Sequence, residues 1–256
     1  MTVTGIRREL RQQAAPERAV ILQRFFKTGP GEYAAGDMFL GLTVPQLRAL
    51  AEQYRHLPLR DTSRLLRSSI HEERFLALLV LVQAYWDGDA KQQRRIYDLY
   101  LRSTRYINNW DLVDCSAPQI VGAFLFRCSG GSASCRPYRT NDKRPALHRS
   151  AATILTQLAR SDSLWERRIA IIATFHFIKH GEFSATLHIA RVLLRDEHDL
   201  IHKAVGWMLR EVGKRDLATE EKFLRQHCRQ MPRTMLRYAI ERFAEPKRRR
   251  YLKGTA

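Results

Sequence analysis

Acidic residues are scarce in this chain. Across 256 residues, 26 Asp and Glu stand against 44 Lys and Arg, a formal net charge of +18. The excess is spread over most of the chain rather than confined to a tail. It implies a polyanionic partner, nucleic acid before membrane, with a merely basic solvated surface as the bland alternative. Cysteine is also sparse: Cys115, Cys128, Cys135 and Cys228. Four such residues do not read as a disulfide framework, and a reducing cytosol fits them. Cys128 and Cys135 have no CxxC partner pair, so no zinc site is expected. Long apolar runs are missing. No segment reaches the roughly 18 apolar residues of a membrane span. Met1 to Gln13 is charged and lacks an apolar core, so neither a signal peptide nor a membrane association is expected. Two-residue alternation bounded by hairpin turns is lacking too, which argues against strands.

What remains is helical spacing almost everywhere. Pro16-Glu17 opens a helix through Phe26, with Ala19, Leu22 and Phe26 along one side. Residues 28–41 form a loop marked by Thr28-Gly29-Pro30-Gly31 and Gly36-Asp37. Thr43 is the expected N-cap of a helix to Tyr54, with Pro45 in its first turn. Asp61 or Thr62 is expected to cap a short helix through Leu66. An apolar helix over 71–86 ends at Asp87-Gly88-Asp89, and another follows over 90–102. A helix beginning near Asn109 is expected to break at Ser116-Ala117-Pro118, where a new one runs to Phe126. Residues 127–145, polar and basic, read as an inserted flexible loop. Further helices are expected over 146–159, 162–179, 183–194, 198–212, 217–226 and 233–243. Residues 246–256, with Lys247-Arg248-Arg249-Arg250, read as a basic flexible tail. Helices of ~10–18 residues joined by short turns, pairing with a period of about 35–45 residues, give an all-α fold: an α-α superhelix, or solenoid, of degenerate HEAT-like repeats with a concave basic surface. A compact helical bundle is the alternative. Residues 1–245 are taken as one domain.

Three helices pair a tryptophan with a charged residue. Trp110 and Asp114 are four apart and share a face. Trp165 and Arg168 are three apart and adjacent. Lys203, Trp207, Arg210 and Lys214 form one stripe, with Val205, Leu209 and Val212 on the opposite, core face. Gly206 lowers helix propensity, so a close approach is expected there. Each tryptophan alone reads as a core anchor and each arginine as a surface charge. Together on so basic a chain they suit phosphates and stacked sugars or bases. Asp114 reads either as a cap or ion-pair partner, or as a carboxylate that stabilises a developing cation or orients a water. No His/Asp/Glu cluster has metal-ligand spacing.

These residues carry a resemblance. Asn109-Trp110-Asp111-Leu112-Val113-Asp114, followed by Ser116-Ala117-Pro118, resembles the catalytic-helix signature of the AlkD-type DNA alkylation repair family, the HEAT-like-repeat alkylpurine DNA glycosylases. Trp165 with Arg168-Ile169-Ala170-Ile171 resembles its second block, and Lys203-Ala204-Val205-Gly206-Trp207-Met208-Leu209-Arg210-Glu211 its third. Phe39-Leu40-Gly41-Leu42-Thr43-Val44-Pro45, ending in Arg48, resembles its N-terminal block. The resemblance spans residues 15 to 245. It implies a monofunctional DNA glycosylase that hydrolyses the N-glycosidic bond of cationic N3- or N7-alkylated purines in double-stranded DNA, without cofactor or metal and without base flipping. By the same resemblance Asp114 is the catalytic aspartate, and Trp110 and Trp207 meet the deoxyribose. Arg168, Arg210, Lys203, Lys214 and Arg48 serve the DNA surface, and Tyr33 matches an aromatic near the lesion. A cytoplasmic monomer without an obligate protein partner, on the nucleoid when bound to DNA, is expected. Two other readings of the residues stay open: a non-catalytic HEAT-like scaffold for branched or damaged DNA, and a protein-interaction solenoid.

Overall fold

The computed structural model describes residues 2–129 and 150–254, so most of the 127–145 insertion lies outside the described residues. By their internal contacts the residues separate into two compact units, Met1–Ser116 and Ala117–Ala256. Among the described residues the secondary structure is helical, with one isolated parallel bridge between Met38 and Ile70.

The first unit begins with α1 (Val3–Gln12), whose Val3, Ile6 and Leu10 are buried on one face. Thr2 caps it by accepting the Gly5 N–H at 3.2 Å. This helix was not expected from the charged N-terminus; three apolar residues at 3, 6 and 10 suffice to seat it. Next come α2 (Pro16–Phe25) and α3 (Val44–Gln53). Thr43 and Gln46 form a reciprocal capping box at the start of α3, which satisfies two otherwise unpaired donors. The chain between α2 and α3 turns at Gly41, whose φ is +90°. A Cβ there would lie 2.2 Å from the Ala15 carbonyl oxygen, so only glycine lets these backbones meet.

α4 (Leu59–Leu66) starts after Pro58 rather than at Asp61 or Thr62; Thr62 is fully buried and its hydroxyl donates to the Pro58 carbonyl at 3.1 Å. α5 (His71–Asp87) packs against α3, α4 and the following α6 (Ala90–Arg102), and is the central helix of the unit. Leu76, Leu78 and Leu81 are entirely buried within it. A 3-10 turn over Thr104–Tyr106 leads to α7 (Trp110–Ala117).

Pro118 does not break the chain out of helix. Ala117 stays in the right-handed helical region, and Pro118–Gly122 forms a π-helical turn that runs directly into α8 (Ala123–Ser129). A proline cannot donate to the carbonyl four residues back. The wider turn accommodates that missing donor without ending the helix.

The second unit continues with α9 (Ala151–Ala159), α10 (Leu164–Lys179), α11 (Ser184–Val192), α12 (Asp199–Gly213), α13 (Leu217–His227) and α14 (Arg233–Ala239). Ser150, Ser163 and Asp216 cap α9, α10 and α13. α10 packs against α9, α11, α12 and the π-helical turn, while α12 packs against α13 and α14. Gly206 allows α12 to approach α14 closely: a Cβ there would sit 2.4 Å from the Met235 carbonyl oxygen and 2.5 Å from the Tyr238 Cβ. The expected close approach at Gly206 is therefore observed.

Residues 246–253, expected as a flexible basic tail, belong to α15 (Glu245–Lys253). Tyr251 is buried against Phe243, with ring centroids 5.6 Å apart. One aromatic ring in a run of arginines is enough to seat that helix on the unit. Cys115 and Cys228 are free thiols, whereas Cys128 is disulfide-bonded. No helix among the described residues is long and apolar enough to cross a membrane.

Candidate active site

The start of α7 is held by a buried set of charges on α5 and the loop before α3. His71 donates through Nε2 to Asp111 Oδ2 at 2.8 Å and through Nδ1 to Asp37 Oδ2 at 3.3 Å. Arg74 donates to the same Asp37 oxygen at 2.7 Å and to the Ser68 carbonyl at 2.9 Å. His71 and Arg74 are almost inaccessible to solvent. Burial is the largest influence on His71 and opposes its charged form. The charge and hydrogen bond of Asp111 and the hydrogen bond of Asp37 outweigh it and raise the imidazole above its ordinary value. At Asp37, burial pushes the carboxyl up, but His71 and Arg74 together bring it below the usual range. With His71 protonated, two cations face two carboxylates and the cluster is neutral, the condition under which buried charges are tolerated.

Its neighbours on α5 are satisfied as well. Glu72 accepts the Leu40 N–H at 2.9 Å and the Gly41 N–H at 2.7 Å, and Glu73 accepts from Arg7 at 2.9 Å. The run His71-Glu72-Glu73-Arg74 thus fixes α1, the loop over 37–41 and α7 to one helix end. The hydrogen bonds are supplemented by stacking. Trp110 stacks on Phe26 at 5.2 Å, Phe26 on Phe39 at 5.1 Å, and Phe39 on His71 at 4.4 Å. Aromatic pairs of this kind contribute about 0.5–1.5 kcal/mol each beyond burial. Asn109, fully buried, accepts the Trp110 N–H at 2.8 Å. Trp110 is therefore held in place from both its backbone and its ring, and remains half-buried.

Asp114 lies one turn after Trp110 on α7 and is half-buried. Asp111 bonds to the buried His71, both carboxylates are half-buried, and Cys115 next to Asp114 has its thiol pushed well up by burial and by both carboxylates.

In the second unit, Trp165 and Arg168 are buried on α10. Arg168 donates to the Leu200 carbonyl at 2.6 Å, joining α10 to the first turn of α12. Trp207 on α12 is half-buried, 6.0 Å from Phe175, and donates through Nε1 to Glu211 at 3.2 Å. The same carboxylate accepts from Lys214 at 2.5 Å and lies 3.8 Å from Arg210. Arg210 also pairs with Glu241, and Lys203 pairs with Asp199 at 2.7 Å. Val205, Leu209 and Val212 form the buried face of α12, as the spacing predicts.

Residues 6–243 match the profile of the family described as DNA alkylation repair enzymes. The chain belongs to that family. A solved structure described as a predicted DNA alkylation repair enzyme from Enterococcus faecalis has the same fold: TM-score 0.66 at 15% identity, covering 91% of this chain and 98% of that one. Comparison with curated proteins gives no match. The all-α helical-repeat fold inferred from periodicity is the fold of this family member, and its substrate class is DNA.

The DNA alkylation repair family resemblance selects residues that the structure treats unequally. Trp110 and Asp114 share α7, and Arg48 is exposed on α3. Tyr33 is half-buried in the segment before α3. The stripe of Lys203, Trp207, Arg210 and Lys214 is not uniformly positive, because Glu211, Asp199 and Glu241 interleave with it. Sequence reasoning passed over the buried cluster of Asp37, His71, Arg74 and Asp111, and over Phe25. Four consecutive charged residues at the head of an otherwise apolar helix were the available signal for the cluster. Phe25 stands 61% exposed at the end of α2, edge-on to Trp110 at 5.9 Å. Among the described residues no group of three or more His, Cys, Asp or Glu is placed to hold a metal.

Proposed function

We propose that this family member is a DNA glycosylase that hydrolyses the N-glycosidic bond of cationic N3- or N7-alkylated purines in double-stranded DNA, with the lesion left in the stack. An alkylated purine already carries the positive charge that makes it a leaving group. As the bond from C1′ to the purine nitrogen breaks, its electron pair leaves with the base and neutralises it. Positive charge then develops on the sugar, and a carboxylate fixed in place lowers the energy of that state more than that of the bound substrate. Asp114 has this role and orients the water whose oxygen bonds to C1′; the water's proton passes to the carboxylate and then to solvent. Trp110 and Trp207 are assigned to the deoxyribose. Arg168, through its bond to the Leu200 carbonyl, positions α12, and Arg210, Lys203, Lys214, Arg48 and Tyr33 are assigned to the DNA surface.

The observation that supports this reading most is the fixed start of α7, which carries Asp114 one turn after Trp110. A helix start fixed by a buried histidine, with the Trp110 ring stacked on Phe26, carries a second, half-buried carboxylate one turn further on. A lone aspartate used as a cap needs no such support. The test is to incubate the protein with methylated duplex DNA and measure the 3- and 7-methylpurines released. Release well above the spontaneous rate is expected. Intact DNA binding without release would contradict the proposal and leave a scaffold role.

A further inference from the structure

Two exposed arginines of the first unit flank one cleft. Arg67 follows α4, and Arg105 lies in the 3-10 turn before α7. Both are exposed, and neither forms an ion pair among the described residues. Arg67, Arg105 and the buried Arg74 line a cleft of about 300 Å³, together with Ser69, Tyr106 and Asn108.

Several features of the cleft suit an anion. Arg105 is steadied by Tyr106: it lies over the phenol ring, 4.5 Å from the centroid, and donates to the hydroxyl. Arg74 Nε is buried with no hydrogen-bond partner, an omission that ordinarily costs about 1–3 kcal/mol. Asn108 Oδ1 is likewise without a partner. An asparagine amide turns to suit its neighbour, so Asn108 can offer an N–H to an acceptor. The one acidic residue in the lining, Asp37, has an oxygen already occupied by both His71 and Arg74. Guanidinium groups match phosphate oxygens in a planar fork, and unpaired ones give up no ion pair on binding.

We propose that this cleft is a phosphate-binding pocket that holds one backbone phosphate of the DNA duplex. The pocket lies on the side of unit 1 where Asn108 leads into the Trp110 helix, so a phosphate held there sets the register of the strand relative to α7. Phosphate contacts of this kind fix position and carry no sequence information. The inference rests on DNA as the partner, and it does not depend on glycosylase chemistry.

The test compares three proteins on plain duplex: wild type, Arg67→Ala/Arg105→Ala, and Lys91→Ala/Arg95→Ala. The last pair removes the same charge from exposed positions of α6 that do not line the cleft. Loss of one phosphate contact lowers the slope of log affinity against log salt by about 0.9. That reduction is expected for the cleft pair and not for the α6 pair; equal reductions in both would overturn the proposal. Because both cleft arginines are exposed, the variant is expected to keep the wild-type circular dichroism spectrum. Arg67→Lys/Arg105→Lys is a second variant expected to retain the slope while losing affinity.

A scan with duplexes carrying one neutral methylphosphonate linkage at a time then identifies the source of the phosphate. One linkage is expected to weaken wild type and leave the cleft variant no weaker. If every linkage weakens both proteins alike, the pocket holds no backbone phosphate. A rise in thermal midpoint in inorganic phosphate over chloride at equal ionic strength, abolished in the cleft variant and unaccompanied by any such linkage, would mark a free-phosphate site and also overturn the assignment. Base release by wild type is scored separately. A pocket-dependent linkage without base release contradicts the glycosylase reading alone, and base release without such a linkage contradicts the pocket alone.

Discussion

His71 Nε2 lies 2.8 Å from Asp111 Oδ2, a bond that joins the first residue of α5 to the second residue of α7 inside the first unit. It places the stability of the Trp110 helix under the control of a titrating group. The folded imidazole is raised above its ordinary value, so its contribution is complete at pH below the unfolded histidine value and is lost as pH rises through the folded one. Asp37 is lowered, so its contribution is present above the unfolded carboxylate value and is lost as pH falls through the folded one. Denaturant unfolding of wild type and His71→Gln should therefore show a stability gap that is widest in mildly acidic buffer and narrows toward alkaline pH. A gap independent of pH would show that folding does not shift the titration of His71.

Gly206→Ala sets two effects against each other. On helix propensity alone the substitution stabilises by about 1 kcal/mol. The added carbon, however, meets the Met235 carbonyl oxygen at 2.4 Å and the Tyr238 Cβ at 2.5 Å, and one of these obstacles is backbone. Overpacking of that kind costs about 1–3 kcal/mol, so net destabilisation is expected, read as a lower thermal midpoint. A higher midpoint would mean that α12 and α14 can separate at no cost.

Arg210 and Glu241 form an ion pair at the edge of the proposed DNA surface. Arg210→Ala is expected to weaken duplex binding without regard to sequence and to reduce the salt slope by about 1. Glu241→Gln should act in the opposite sense, since it removes a negative charge beside the same guanidinium. If both variants bind as wild type does, Arg210 belongs to the fold and not to the DNA surface.

The helices were legible in the sequence because burial imposes a period of 3.6, and the start of α3 follows from its Thr43 cap. Trp110, Asp114, Trp165 and Trp207 were legible as pairs because four residues make a helical turn. Three features were hidden for definite physical reasons. The helix at Val3–Gln12 rests on only three apolar residues in a charged segment. Pro118 reads as a break in sequence, yet a π-helical turn absorbs its missing N–H. The cluster of Asp37, His71, Arg74 and Asp111 joins residues up to 74 positions apart, and no local pattern reveals such a meeting. The interleaving of Glu241 with the Lys203–Lys214 stripe was hidden for the same reason, whereas Glu211 lay within the stripe and was passed over.

The most direct test of the central claim is single-turnover release of methylpurine from methylated duplex DNA by wild type and by Asp114→Asn, with duplex affinity measured on the same preparations. The substitution keeps the shape of the side chain and removes its charge. Excision is expected to fall by about 10²–10³, the loss usual for one fixed electrostatic group, while affinity stays near wild type. Excision by Asp114→Asn at the wild-type rate would contradict the account.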